Sequence, residues 1–226
     1  MSMAPWLLAP AGAWAAYAWG SYLVPRNAVW RGRRTDRLAA LTFDDGPDPE
    51  YTPRVLDILT AEHAPATFFL VGQRAAARPD IARRIASLGH DLGNHTWSHA
   101  SLWLCGPRRT RDEIAKGHEV IASATGQPPR FFRAPWGMTN LAVAPALTRL
   151  GTPCVFWTVQ PEGLRAVPPE QQVQRAMARV RPGAIVDLHD ADGVRGAGAR
   201  LLQALPRLIR ALRDAGYTLA ALRDLL

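Results

Sequence analysis

The chain has 226 residues, 48% hydrophobic and 20% charged, enough to bury roughly 70% of its unfolded surface in one domain. That balance excludes a disordered chain, and two cysteines, Cys105 and Cys154, exclude a disulfide scaffold or a Cys-rich zinc module. The net charge of +8 comes from 26 arginines and one lysine, Lys116. The arginines are scattered through helix-like stretches without a basic stripe or an RNA-binding aromatic motif, so no nucleic-acid partner is expected. The cysteines read as buried thiols, with a bridge between them left open.

No charged side chain precedes Arg26, and Trp6–Val24 is nineteen residues of mostly Ala, Leu, Trp, Tyr and Gly. That length is close to the ~20 residues that span a bilayer, and Trp6, Trp19, Tyr22 and Trp30 stand near its ends as interfacial aromatics do. Residues 1–35 are therefore expected to be a membrane anchor with a basic linker. An Ala-rich helix docked on the domain and a cleaved signal are the alternatives. Arginines following the span favour a cytoplasmic domain, whereas the chemistry read below suits the outside, so the side of the membrane stays open.

After Arg37 short apolar runs alternate with amphipathic stretches. Strands are expected at Leu38–Phe43, Ala66–Val71, near Arg130–Arg133, at Cys154–Val159 and at Ala184–Leu188. Helices are expected at Thr52–Glu62, Asp80–Leu88, from Thr110 to Gly126, near Asn140–Leu150, at Pro169–Val180 and at Ala199–Ala215. Thr110 with Glu113 reads as a capping box, and Pro206 should kink the last helix. Six or seven β/α units in residues 36–226 predict a barrel of parallel strands.

Four clusters carry the chemistry. Thr42-Phe43-Asp44-Asp45-Gly46-Pro47 puts two carboxylates on a tight turn at a strand end; adjacent carboxylates repel and call for a cation. Alone, Asp-Asp-Gly-Pro has the composition of a solvated turn. His95 and His99, four residues apart, would face one side of a helical turn and grip one metal ion. Two histidines and a spare carboxylate make a three-ligand site of the hydrolytic zinc type. Arg133, in Arg133-Ala134-Pro135-Trp136-Gly137, is placed to hold a carboxylate bidentately. Finally, Asp187 and His189 share a face at the mouth of the strand Ala184–Leu188.

These elements, in this order, resemble the NodB-homology polysaccharide deacetylases (carbohydrate esterase family four). TFDDGP, HTWSH and RAPWG match three of that family's motifs, and LHD matches its fifth in part. The resemblance covers about Asp36 to Leu226. It implies a distorted (β/α)7 barrel and one divalent metal ion, Zn2+ in first place, held by Asp45, His95 and His99. It also implies Asp44 as the base that activates water at the metal, Arg133 orienting Asp44, His189 as the acid, and the Trp136 N–H holding the oxyanion. The reaction implied is removal of N-acetyl groups from amino sugars of a polysaccharide or glycolipid. An O-acetyl esterase and a degenerate glycan- or metal-binding barrel are the alternatives.

Two departures stand out. The family's fourth motif ends in Asp-Trp, with the Asp partnering the acid histidine, and Gly163 falls where that Asp belongs. The family's Leu-x-His lines the acetyl pocket with leucine, and here Asp187 takes its place. The expectation is that Asp187 replaces the missing partner and raises the pKa of His189. A carboxylate there also makes the acyl pocket more polar, leaving the acyl group open.

Overall fold

The computed structural model describes residues 12–20, 28–33, 37–163, 167–191 and 196–226. Its centre is a sheet whose strands pair in parallel throughout. In chain order the strands are β1 (Ala28–Val29), β2 (Leu38–Asp44), β3 (Ala66–Leu70) and β4 (Asp91–Asn94). They are followed by β5 (Phe131–Phe132), β6 (Cys154–Val155), β7 (Ala184–His189) and β8 (Thr218–Leu219). The spatial order is β1-β6-β5-β4-β3-β2-β7, with β8 also on β2. The sheet curls until Val159, past the end of β6, pairs with Val186 of β7. The result is the expected distorted barrel.

Parallel strands covered on both faces are apolar along their whole length rather than alternating. Ala39 to Asp44 of β2 and all of β3 are accordingly buried. The helices between strands, among them α3 (Gly72–Ala77), α6 (Val143–Leu150) and α7 (Pro169–Arg179), lie on the outside of the sheet, and the longer ones pack through apolar stripes. In α4 (Pro79–Ser87) the stripe is Ile81, Ala82, Ile85 and Ala86. In α8 (Ala197–Asp214) it is Leu201, Ala204, Leu205, Leu208, Ile209 and Leu212, and the helix runs on through Pro206 as one element. Of two further crossover helices, α2 (Tyr51–Ala61) lies within one residue of its expected bounds and α5 (Pro107–Thr125) begins earlier than expected. The Asp48 carboxylate accepts the N–H groups of Glu50 and Tyr51 at 2.8 and 2.9 Å and so opens α2. The other starts three residues before Thr110, with Pro107 in its first turn, so Thr110 is not its N-cap.

Residues 12–20 form a helix, α1, laid on the domain. Trp14 Nε1 donates to the Trp103 carbonyl at 3.0 Å, Tyr17 Oη to that of Cys105 at 3.2 Å, and Ala18 is buried. No helix among the described residues is long and apolar enough to cross a membrane. Of Trp6–Val24, residues 12–20 are described, and the remainder of the expected anchor lies outside the described residues. Cys105 and Cys154 are buried free thiols in one apolar cluster.

Candidate active site

Every chemical motif leaves the sheet at one edge. Parallel register sets Asp44, last residue of β2, directly beside His189, last residue of β7. Asn94, last of β4, lies beside Phe132, last of β5, so His95 and Arg133 emerge together one residue later. Barrels gather chemistry at this C-terminal edge because side chains from several strands converge there.

The two histidines do not lie on a helical turn as their spacing suggests. His95 leaves β4 with its N–H on the Leu70 carbonyl at 2.9 Å, and the chain then bends through positive φ at Thr96 (67°) and His99 (55°). That bend returns His99 towards Asp45, placing Nε2 2.9 Å from Asp45 Oδ1, while His95 Nε2 is 3.5 Å from the same oxygen. Glu113 of α5 clamps the loop from behind by accepting the Ser98 N–H at 2.8 Å and the Ser98 hydroxyl at 2.7 Å. Glu113 was read as half of a capping box. Its actual partner lies fifteen residues upstream, and a local pattern does not reveal it.

Ligand atoms of Asp45, His95 and His99 all lie within 4.8 Å of one another. His95 Nδ1 is 2.7 Å from the buried Arg133 carbonyl, which holds the proton on Nδ1 and leaves the Nε2 lone pair facing Asp45. Two imidazole nitrogens and a carboxylate oxygen are the donor set of a hydrolytic divalent-metal site. Burial opposes the Asp45 charge, yet without an ion the imidazoles of His95 and His99, when protonated on Nε2 as well, hold its carboxyl well below the usual range. The residues fit such an ion.

Arg133 is completely buried, with its guanidinium over the Phe69 ring at 4.1 Å. It does not grip Asp44 bidentately. Nη1 alone reaches Asp44 Oδ1 at 2.7 Å, Thr42 Oγ1 at 2.8 Å and Asp187 Oδ1 at 3.1 Å. Nε and Nη2 are spent on the carbonyls of Val155 and Phe156, each at 3.1 Å. Those bonds fix the guanidinium, and it in turn fixes the Asp44 carboxylate.

The partner of His189 is Glu162, not Asp187. Glu162 Oε2 lies 2.6 Å from His189 Nδ1, directing the other ring nitrogen, Nε2, to the pocket. Sequence reasoning missed it by one position. The available signal was a carboxylate between Pro161 and Gly163, where a turn with φ of 84° at Gly163 brings the longer Glu side chain back to the ring. Burial disfavours the charged ring, but Asp187, Glu162 and Asp44 outweigh it and raise the His189 pKa well above its ordinary value. Asp187 thus acts on His189 only through space. Its own carboxyl is pushed up to about 7 by burial and by Asp44, against the pull of His189 and Arg133.

Trp136 sits at positive φ (55°) in the single 3-10 turn Pro135–Gly137, with its indole 4.5 Å from the His99 ring. In so short a turn its N–H has no intrahelical partner. With Trp157 and Gln160 it walls a pocket of about 50 Å³ shared with Asp44, Asp45, His95, His99, Asp187 and His189.

Several known proteins are similar to this chain in sequence and in fold. Residues 31–155 match the family model described as polysaccharide deacetylase. A chitooligosaccharide deacetylase of Bradyrhizobium sp. (strain ANU 289) is 41% identical over 155 residues, 68% of this chain and 71% of the relative. A peptidoglycan-N-acetylglucosamine deacetylase of Bacillus cereus is 32% identical over 206 residues, 91% of this chain and 73% of the relative. The crystal structure of the peptidoglycan N-acetylglucosamine deacetylase Bc1960 superposes with a TM-score of 0.85 at 31% identity, covering 92% of this chain and 96% of that one. With more than half its length matching the family model and relatives above 30% identity, the chain belongs to the polysaccharide deacetylase family.

Proposed function

We propose that this hydrolase removes N-acyl groups from N-acetylglucosamine-type units of an oligosaccharide or polysaccharide, with Asp44 as base and His189 as acid. Asp45, His95 and His99 would hold one divalent ion, with Zn2+ the first choice for that donor set. Such an ion supplies Lewis-acid polarisation of the acyl carbonyl and a lowered pKa for water. Asp44 takes the proton from water as the water oxygen adds to the carbonyl carbon. The oxygen that gains charge is met by the Trp136 N–H, a donor already oriented before reaction. His189 then gives its Nε2 proton to the nitrogen as the C–N bond breaks, releasing a carboxylate and a free amino sugar.

One observation carries this reading: Asp44 and His189 are register partners on adjacent strands, and each is paired for an opposite task. Arg133 beside Asp44 favours a carboxylate that accepts protons; Glu162 beside His189 favours an imidazolium that donates them. An amine must be protonated to leave, so a well-supported acid favours amide over ester hydrolysis. The degenerate-barrel alternative rested on a missing carboxylate beside His189, and Glu162 supplies one. The test is acetate release from N-acetylglucosamine and O-acetylated oligosaccharides with metal quantified in parallel, comparing wild type with His95→Ala. Acetate from the N-acetyl substrate in wild type alone supports the reading. Release from the O-acetyl panel only, or equal release from both proteins, refutes it.

A further inference from the structure

Resting on that reaction, one buried group lines the pocket without itself taking part in a bond-making or proton-transfer step. Asp187 is 1% exposed and lines the pocket. One of its oxygens, Oδ1, accepts from Arg133 Nη1 at 3.1 Å, the nitrogen that also serves Thr42 and Asp44. Its place along β7 is informative. Two residues of strand advance roughly 7 Å, so Asp187 lies one such step deeper than His189, at the floor.

The amide carbon under attack has three substituents: an oxygen, a nitrogen bound to the sugar, and the acyl tail. A pocket of about 50 Å³ is too small for a sugar ring, so the sugar stays outside with its nitrogen at His189. The tail is then the part that goes deepest. A methyl group pressed on a buried carboxyl strips water from a polar group and returns no hydrogen bond. A hydroxyl on the carbon next to the carbonyl restores one, whether the carboxyl is ionised and accepts or protonated and donates.

We propose that Asp187 is a specificity-determining residue that selects 2-hydroxyacyl groups, with N-glycolyl amino sugars as the simplest case, over plain N-acetyl. The bonds made and broken are those of amide hydrolysis. Water adds to the carbonyl carbon, the C–N bond breaks, the nitrogen takes the proton, and glycolate leaves.

The experiment uses the full chain loaded with Zn2+ and two tetrasaccharides, one N-acetylated and one N-glycolylated, with each released acid measured by chromatography. One net hydrogen bond predicts a kcat/KM about tenfold higher for the glycolyl substrate. Asp187→Leu should reverse the preference. Asp187→Asn, which keeps size and polarity, should lower the ratio by about threefold, with metal content and circular dichroism unchanged. The Asn variant decides the matter if the Leu variant does not fold. A wild-type ratio at or below one, or the same ratio in Asp187→Asn, overturns the proposal. Acetate released without glycolyl preference sinks this inference alone; no acid from either substrate sinks the proposed reaction and this inference with it.

Discussion

Glu162 and His189 meet with 2.6 Å between Oε2 and Nδ1, although Glu162 belongs to no strand or helix and His189 ends one. The carboxylate fixes which ring nitrogen faces the pocket and helps keep the ring charged. A raised folded-state pKa means that His189 stays protonated, and able to donate, to a higher pH than a free imidazole. Glu162→Gln removes an anion within contact distance, an effect of about one to three units. The alkaline limb of the pH–rate profile should move to lower pH by about one unit or more. The maximum rate should fall by up to about a hundredfold, because His189 remains but loses the anion that aims Nε2 at the leaving nitrogen. Initial rates from pH 6 to 10 check this.

Arg133 is the only cation hydrogen-bonded to Asp44 and Asp187 among the described residues. Arg133→Met should cost about 3–5 kcal/mol, since it leaves buried carboxylates uncompensated. The sign of the pH dependence follows from Asp187, whose folded pKa is already about 7 and would rise further without the arginine. A carboxyl raised above its unfolded value, roughly 4, contributes stability that is intact below that value and lost as pH climbs through the folded one. The deficit of the variant should therefore be smaller at pH 5 than at pH 8 in urea unfolding.

The loop that carries Asp45 is wedged tightly. A Cβ added to Gly46 would lie 2.5 Å from a carboxylate oxygen of Asp190, which is fully buried and hydrogen-bonded to the Thr52 hydroxyl. Gly46→Ala should destabilise by about 1–3 kcal/mol, as overpacking does, and should weaken metal uptake by displacing Asp45. Adding Asp190→Ala should restore part of the loss, because the two changes share one contact. Melting temperature and metal content of the three variants check both statements.

Metal removal tests the ligand trio by stability as well as activity. Dialysis against a chelator should stop acid release and lower the melting temperature, and Zn2+ at a hundred times its dissociation constant should restore about 2.7 kcal/mol. His99→Ala should abolish that metal-dependent gain, since its Nε2 lies 2.9 Å from Asp45.

What was legible in the sequence is what strand periodicity and compact motifs encode. Asp44, Asp45 and His189 follow apolar strand runs, and the parallel register then makes them neighbours. Glu162 was hard to place because the chain beyond β6 follows no strand period, although Thr158 and Val159 still bond to β7. Glu113 was misread because its partner Ser98 precedes it by a loop and the start of a helix. The first helix shows a different limit. An apolar, aromatic composition suits a bilayer and a protein surface equally, and the bonds that dock Trp14 and Tyr17 lie almost ninety residues away.

In the proposed reaction Asp44 moves the proton while its neighbour Asp45 helps hold the ion. Asp44→Asn preserves shape and the Arg133 contact surface but removes the proton acceptor. Acid release from an N-acylated tetrasaccharide should be measured on wild type and variant that each carry one equivalent of Zn2+. Equal metal content and a rate lower by about a hundredfold to ten-thousandfold are expected. A fully loaded variant that works at the wild-type rate would contradict that role of Asp44.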